Sequence, residues 1–374
     1  MESSSVHAPP PALTLQGKGD IARIFSADRG RLQEMEGFEE RFTDIVHYIL
    51  QITHDIWEGK GVGLIYDYYT HNCRVHTAEG LVYGREAMIR GTLAALAAFP
   101  DRRLYGDDVI WCGDDQKGFY TSHRITHVGR NTGYSEFGPP TGRQVRYMAI
   151  ADCVVRQNRI MEEWLVRDNL TLVRQLGFDP GELAREMAER NSGVSAFQPV
   201  GEVERVQGQD TPARLPPPPP EFDITDFIPR VLHQIWNWRL LNTIDESHAS
   251  TYTGHLPGGR ELYGRGDLKA HILAMLAAFP DAALSIDHFC ALAGGSDRYR
   301  TATRWTLSGT HLGPGVYGPP TGRRVSILGI SHHLVADGCI QQEWTVYDEF
   351  ALLKRLYRPE GPVGQGTSAR PSAP

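Results

Sequence analysis

The chain has 374 residues, of which 41% are hydrophobic and 22% charged, and a formal net charge of −7. This is ordinary globular composition with length enough for two cores, and the acidic balance argues against the basic footprint needed to bind nucleic acid. No apolar run approaches the ~20 residues of a membrane helix, and the start MESSSVHAPPPALTLQGKGD lacks the charged-then-apolar plan of a secretory signal.

A cytoplasmic protein without membrane association is therefore expected. Cys73, Cys112, Cys153, Cys290 and Cys339 are scattered, odd in number and without a CxxC pair, so they read as reduced thiols and not as a disulfide frame or zinc site. GxGxxG after a strand, GxxxxGK[ST], HExxH and GxSxG are all missing. Dinucleotide, P-loop, zincin and serine-hydrolase readings thus have no motif behind them, and no metal or cofactor is expected.

Residues 1–36 are Pro/Ser-rich and then polar, a flexible leader. From Phe38 to Trp57 the apolar positions Phe42, Ile45, Val46, Ile49, Ile52 and Ile56 recur at three- and four-residue steps, predicting a helix with one buried face. A short strand and turn carrying His76 follow, in RVHTAEGLVYG, then a helix over REAMIRGTLAALAAF that Pro100 ends. The segments RLYGDDVIWC, KGFYTSHRITHVG, RQVRYMAIADCVV and RIMEEWLVRD read as an antiparallel meander closed by a helix from Asn169 to Leu176, an α+β plan.

A short helix and a polar stretch ending in Pro216–Pro220 come next, a stiff spacer that marks a domain boundary. The plan then restarts. LAALAAFPD (93–101) returns as LAMLAAFPD (273–281), and the stretch from Gly138 to Gly177 returns from Gly318 to Tyr357. A period this long marks duplicated domains, since solenoid repeats are far shorter. The expected boundaries are 37–178 for the first domain, 179–221 for the linker, 222–358 for the second domain and 359–374 for a flexible tail.

Each copy of the repeated stretch contains a Gly-Pro-Pro-Thr-Gly turn, an alternating strand, and Ile-x-x-Glu-Trp-x-Val-x-Asp running into a helix. Alternation puts Asp168 on one strand face with Trp164 and Val166, and Asp348 with Trp344 and Val346. Each aspartate reads either as a helix N-cap or as an acid/base group, and its retention in both copies favours the second reading. Arg124 and Arg304 occupy equivalent strand positions and suit an anionic or carbonyl group, or an ion pair with the aspartate. His123 and His127 share a face with Ile125 in the first half only, as core histidines or as acids. Asp152 corresponds to His332, and His332 beside Asp348 would form an acid/base pair.

These residues resemble SnoaL-like proteins, the polyketide-cyclase or ester-cyclase branch of the nuclear-transport-factor-2-like superfamily. The resemblance rests on VHTAEGLVYGREAM, GPPTGRQV and EEWLVRDNLTLVRQLG in the first half, and on RWTLSGTHLGPGVYGPPTGRRV and QEWTVYDEFALLKRL in the second. It implies two cone-shaped, curved antiparallel sheets wrapped on helices, each open at one end to an apolar cavity. It further implies cofactor-free acid/base catalysis, such as an aldol ring closure, on a hydrophobic carbonyl-bearing molecule. Asp168 and Asp348 would be the acid/base residues and His332 their helper, with His76, His123, Arg124, Trp164, Arg304 and Trp344 around the substrate. His76 matches a histidine common in the family, and the second half is read as lacking it. The halves are expected to pair through their sheets as an internal pseudo-dimer, with a homodimer also open. The alternative is a non-catalytic module of the same fold that binds a small molecule or serves association.

Overall fold

A computed structural model of the chain describes residues 30–190, 212–295 and 297–359; the leader before 30, part of the linker and the tail after 359 lie outside them. Each half begins with a helix fixed by an aspartate. Helix α1 (Ile45–Trp57) starts at Asp44, whose carboxylate accepts the His47 N–H at 2.8 Å, so the predicted helix from Phe38 begins seven residues later. Helix α6 (Ile224–Trp236) starts at Asp223 in the same way. The predicted apolar stripe of α1, Ile45, Val46, Ile49, Ile52 and Ile56, is buried.

After α2 (Ile65–Tyr68), the first half contains β1 (Tyr69–Thr77), β2 (Gly80–Tyr83), α3 (Arg85–Ala98), β3 (Arg103–Asp114), β4 (Gly118–Arg130), β5 (Gln144–Arg156), β6 (Arg159–Arg167), α4 (Asn169–Leu176) and α5 (Pro180–Arg190). The second half repeats the order as α7 (Thr243–Ser247), β7 (His248–Leu256), β8 (Arg260–Tyr263), α8 (Gly264–Ala278), β9 (Ala283–Ala293), β10 (Arg298–Thr310), β11 (Arg324–Ala336), β12 (Cys339–Tyr347) and α9 (Glu349–Tyr357). Helix α3 stops where predicted: Phe99 adopts φ −134°, ψ 77°, outside the helical region that a following proline disfavours for its neighbour.

Each half forms one six-stranded sheet, in the orders β2-β1-β6-β5-β4-β3 and β8-β7-β12-β11-β10-β9. The fold is α+β, as expected, with two repeated halves. Neither sheet is a closed barrel, and neither is wholly antiparallel, because β1 pairs parallel with β6 and β7 with β12. The last strand of each meander thus returns beside the first, with its end next to the β1 or β7 rim.

Strand alternation sorts side chains onto two faces with different fates. On β4, β5 and the part of β6 beyond its bulge the odd-numbered residues face the half's own helices and the even-numbered ones the other half; before the bulge Ile160 takes the cavity side. Ile150, Trp164 and Val166 join Leu328, Ile330, Val346, Cys290, Leu292 and Ala302 in one buried cluster. Reciprocal stacks flank that cluster: the Arg304 guanidinium lies 3.4 Å from the Trp164 ring centroid and the Arg124 guanidinium 3.9 Å from that of Trp344. Tyr120 stacks on His288 at 3.5 Å, Ser122 Oγ and His332 Nε2 are 2.8 Å apart, and Arg300 pairs with Asp108. The linker helix α5 also crosses between halves, since Leu183, Ala184 and Met187 pack with Phe350 of α9 and Arg185 lies over the Tyr357 ring at 4.4 Å.

A desolvated cation–π contact contributes about 2 kcal/mol. Arg304→Met, which keeps the apolar stem and removes the guanidinium, is therefore expected to lower unfolding free energy by at least about that amount in chemical denaturation, and Arg124→Met to do likewise. Unchanged midpoints in both would show that the apolar cluster alone holds the sheets together.

Candidate active site

The odd-numbered face of the first sheet, closed over by α1 and α3, encloses a cavity of about 560 Å³, the size of a drug-like ligand site. Its walls are mostly apolar, with Ile49, Ile52 and Ile56 from α1 and Met88, Ala94 and Ala95 from α3. Polar groups reach it from the strands: His123 and His127 on β4, Tyr147 and Cys153 on β5, Glu163 and Arg167 on β6, with Arg102 just before β3 and Tyr69 on β1.

Register divides these groups between two ends. Cys153 pairs with Glu163, and His123 with Ala151, which pairs in turn with Leu165. His127 pairs with Leu104 and Tyr147, and Ala149 with Arg167. One end therefore holds Glu163, Tyr69 and His123, and the other holds Arg102, His127, Tyr147 and Arg167.

At the first end the Glu163 carboxyl accepts a hydrogen bond from the Tyr69 hydroxyl at 3.1 Å. Burial raises it above the usual carboxylate range, against the pull of Tyr69 and Arg167. Burial also lowers the His123 imidazole to about 3, so it is neutral, and its Nε2 has no hydrogen-bond partner. His127 is neutral for the same reason, reinforced by nearby Arg102, and both its ring nitrogens are unpartnered while the ring stacks on Tyr147 at 4.9 Å. Buried nitrogens without partners facing a cavity suit a ligand that supplies them.

The second half has the same walls but little space, about 60 Å³, room for a few waters at most. Trp305 stands where the first half has Ile125, with its indole flat against β11: a Cβ on Gly329 would sit 2.2 Å from the ring. The first half has Ala149 at the position of Gly329. Tyr347 replaces Arg167, Met275 replaces Ala95 and His271 replaces Gly91. Glu343 matches Glu163, but hydrogen bonds tie it into the wall, from Tyr252 at 2.9 Å and Thr345 at 2.5 Å. Burial would raise its carboxyl; His333 and these bonds outweigh that and hold it below the usual range.

Of the residues expected from sequence, only His123 and His127 line the large cavity. Asp168 and Asp348 line neither cavity. Each caps its helix: Asp168 accepts from Thr171 N at 3.0 Å and Asp348 from Ala351 N at 2.9 Å. Both also reach the other half, where Asp168 accepts from Gly258 N at 2.9 Å and Asp348 from Asn169 Nδ2 at 2.5 Å. Arg124, Trp164, Arg304 and Trp344 form the cross-sheet stacks, away from either cavity. His332 faces Ser122, opposite Trp344 in register and four residues short of Asp348, so the expected acid/base pair is not assembled. Asp152 accepts from Tyr120 within the same interface.

His76 stacks on the back of Trp164 at 5.1 Å and pairs with Glu162 at 2.8 Å. Its counterpart does exist: His255 stacks on Trp344 at 5.4 Å, one residue out of the 180-residue register, which is why the sequence comparison missed it. Sequence reasoning also missed Glu163, although it lies in the repeated Ile-x-x-Glu-Trp motif, and Arg102, Tyr147 and Arg167. The available signal was the reverse of retention, namely positions where the halves differ in size or charge. Among the described residues no cluster of three or more His, Cys, Asp or Glu is arranged to hold a metal, and no helix is long and apolar enough to cross a membrane.

Two predictions follow from this geometry. A Cβ at Gly91 meets nothing within 4 Å, so Gly91→Ala should stabilise α3 by up to about 1 kcal/mol, while Gly91→His should mimic His271 and weaken binding of any cavity ligand. Ligand titration and thermal melting of both variants check this. Burial raises the Asp348 carboxyl to about 7 from 3.8. The folded chain thus holds this proton more tightly than the unfolded one, and its contribution to stability is lost as pH rises from about 4 to about 7. Asp348→Asn, shaped like the protonated acid, should gain stability relative to the natural protein between about pH 5 and about pH 8; a pH-independent difference in denaturation free energy would refute the assignment.

The family model for SnoaL-like polyketide cyclases matches residues 47–176 and 228–356, once in each half. Among solved structures the chain is similar to a SnoaL-like polyketide cyclase from Agrobacterium tumefaciens, 17% identical over 35% of this chain and 97% of that one, with a TM-score of 0.30. It is also similar to TsrD from Streptomyces laurentii (24% identical, 36% and 98% covered, TM-score 0.30) and to IdmH from Streptomyces antibioticus (27% identical, 35% and 96% covered, TM-score 0.30). No curated protein matches the chain.

Proposed function

The chain belongs to the SnoaL-like polyketide cyclase family, and on that premise we propose that its first half is a cofactor-free acid/base enzyme for a hydrophobic, carbonyl-bearing small molecule, with the second half as scaffold. The observation that carries this is the asymmetry of one residue pair. Glu163 faces a cavity of about 560 Å³ with a raised carboxyl, and Glu343 is tied into a wall beside about 60 Å³.

Glu163, in its carboxylate form, takes a proton from a carbon next to the substrate carbonyl. Desolvation makes it a stronger base than a carboxylate in water. Neutral His123, carrying its proton on the unpartnered Nε2, donates to the developing enolate oxygen; a neutral imidazole is a suitable electrophile because it need not be desolvated as a charge. Tyr69 holds the carboxyl in place and the isoleucines of α1 keep water out. The resulting enolate can attack a second carbonyl in the same molecule, closing a ring, or be reprotonated elsewhere, shifting a double bond. In this reading the acid/base role expected of Asp168 belongs to Glu163.

The test is deuterium exchange next to the carbonyl of 1-tetralone, followed by NMR. Glu163→Gln should slow enzyme-dependent exchange by about 100-fold or more. Asp168→Asn should leave exchange nearly intact while costing about 1 kcal/mol of stability as a weakened cap. The rate should rise with pH as Glu163 ionises, later than an ordinary carboxylate would. Loss of exchange in Asp168→Asn with full exchange in Glu163→Gln would overturn the proposal in favour of the capping aspartate. No exchange by the unaltered protein would favour the non-catalytic binding module.

A further inference from the structure

The far end of the first cavity has a chemistry that proton abstraction does not use. Arg102 is only 7% exposed, yet among the described residues no carboxylate lies within ion-pair distance of it. Its one side-chain hydrogen bond is donated to the Tyr147 hydroxyl, and its guanidinium lies 5.1 Å from the Trp57 ring centroid. Arg167 lines the same end; among the described residues no carboxylate lies within ion-pair distance of it, and it is close enough for its charge to disfavour the charge on Arg102. Two neighbouring guanidinium groups, Arg102 buried and Arg167 half-buried, repel each other, an arrangement that is costly until an anion enters between them.

The second half provides an internal control. At the positions of Arg102, His127, Tyr147 and Arg167 it has Ala282, Leu307, Ile327 and Tyr347. All four polar groups are absent together from the half whose cavity is filled, whereas Glu163 has its match in Glu343. The cluster therefore belongs to the open cavity and not to the fold, because the same fold stands without it.

We propose that Arg102 and Arg167, with the Tyr147 hydroxyl between the strands, form a carboxylate-binding subsite, and that the first-half cavity takes an apolar ring compound bearing one carboxylate. The inference rests on reading this cavity as the substrate site, and it assigns the substrate class. On β6, Glu163 and Arg167 are four residues apart on one face, about 13 Å along the strand. A bicyclic or tricyclic acid spans that distance, its carboxylate on the arginines and its reacting carbon at the Glu163 end. Arginine suits this task because its planar fork matches a carboxylate bidentately. The apolar body rests on the isoleucines of α1, and His127 supplies nitrogens along its edge.

The probes are 2-naphthoic acid and its uncharged methyl ester, titrated calorimetrically into the full chain. A charge-assisted bond contributes enough for the acid to bind about ten- to a hundredfold more tightly than the ester. Arg102→Met and Arg167→Met should each remove most of that preference and leave ester affinity within a few-fold. Melting curves verify folding, and if Arg102→Met does not fold, Arg102→Lys should keep a preference for the acid at reduced affinity. Equal binding of acid and ester, equal weakening of both by the arginine substitutions, or no binding of the acid at millimolar concentration would each overturn the proposal. Arginine-dependent binding without proton exchange would refute the catalytic reading and leave the subsite standing, and exchange without acid preference would do the opposite.

Discussion

The reciprocal stacking of Arg304 on Trp164 and Arg124 on Trp344 sets the rest of the structure. A strand has two faces only, and once the even-numbered face of β4, β5 and β6 is committed to the partner sheet, the odd-numbered face must hold whatever the protein does with small molecules. Every assignment at the site follows from that parity. Trp164 and Asp168 fall on the interface side, while Glu163 and Arg167, one residue away from each, look into the cavity.

The two halves share a frame and differ in what fills it. Trp305 lying against Gly329 occupies the space that Ile125 and Ala149 leave open. Tyr347 completes the plug, its buried ring beside that of Trp305. The same glutamate is consequently a desolvated carboxyl facing a cavity in one half and a bonded part of the wall in the other. Fold alone thus does not specify chemistry, and here the contrast is found within a single chain.

Much of the architecture was legible in the sequence because it rests on local pattern. The stripe of α1, the proline ending α3, the meander and the long-period repeat each follow from periodicity or turn chemistry. The candidate site was less legible for a physical reason. Retention between the copies points to what two paired halves have in common, which is their interface, so Arg, Trp and the capping Asp are retained there. The cavity residues diverged because only one half keeps a cavity. His255 escaped notice because one residue more separates it from the repeated stretch than separates His76, a shift that strand pairing reveals and direct alignment at 180 residues does not. Arg102 precedes its strand and joins the site only through the pairing of Leu104 with His127, a long-range contact with no local signature.

Both sheets belong to one covalent chain, and helix α5 packs the first half on α9 of the second through Leu183, Ala184, Met187 and Phe350. In a dimer of identical subunits any substitution appears twice, and a tryptophan that fills one cavity fills the other. Joining the halves removes that symmetry: each side of the interface can change independently, and one cavity can be plugged for rigidity while its neighbour stays hollow. The partner of the hollow half is then always present, at a ratio of one to one, however dilute the protein becomes.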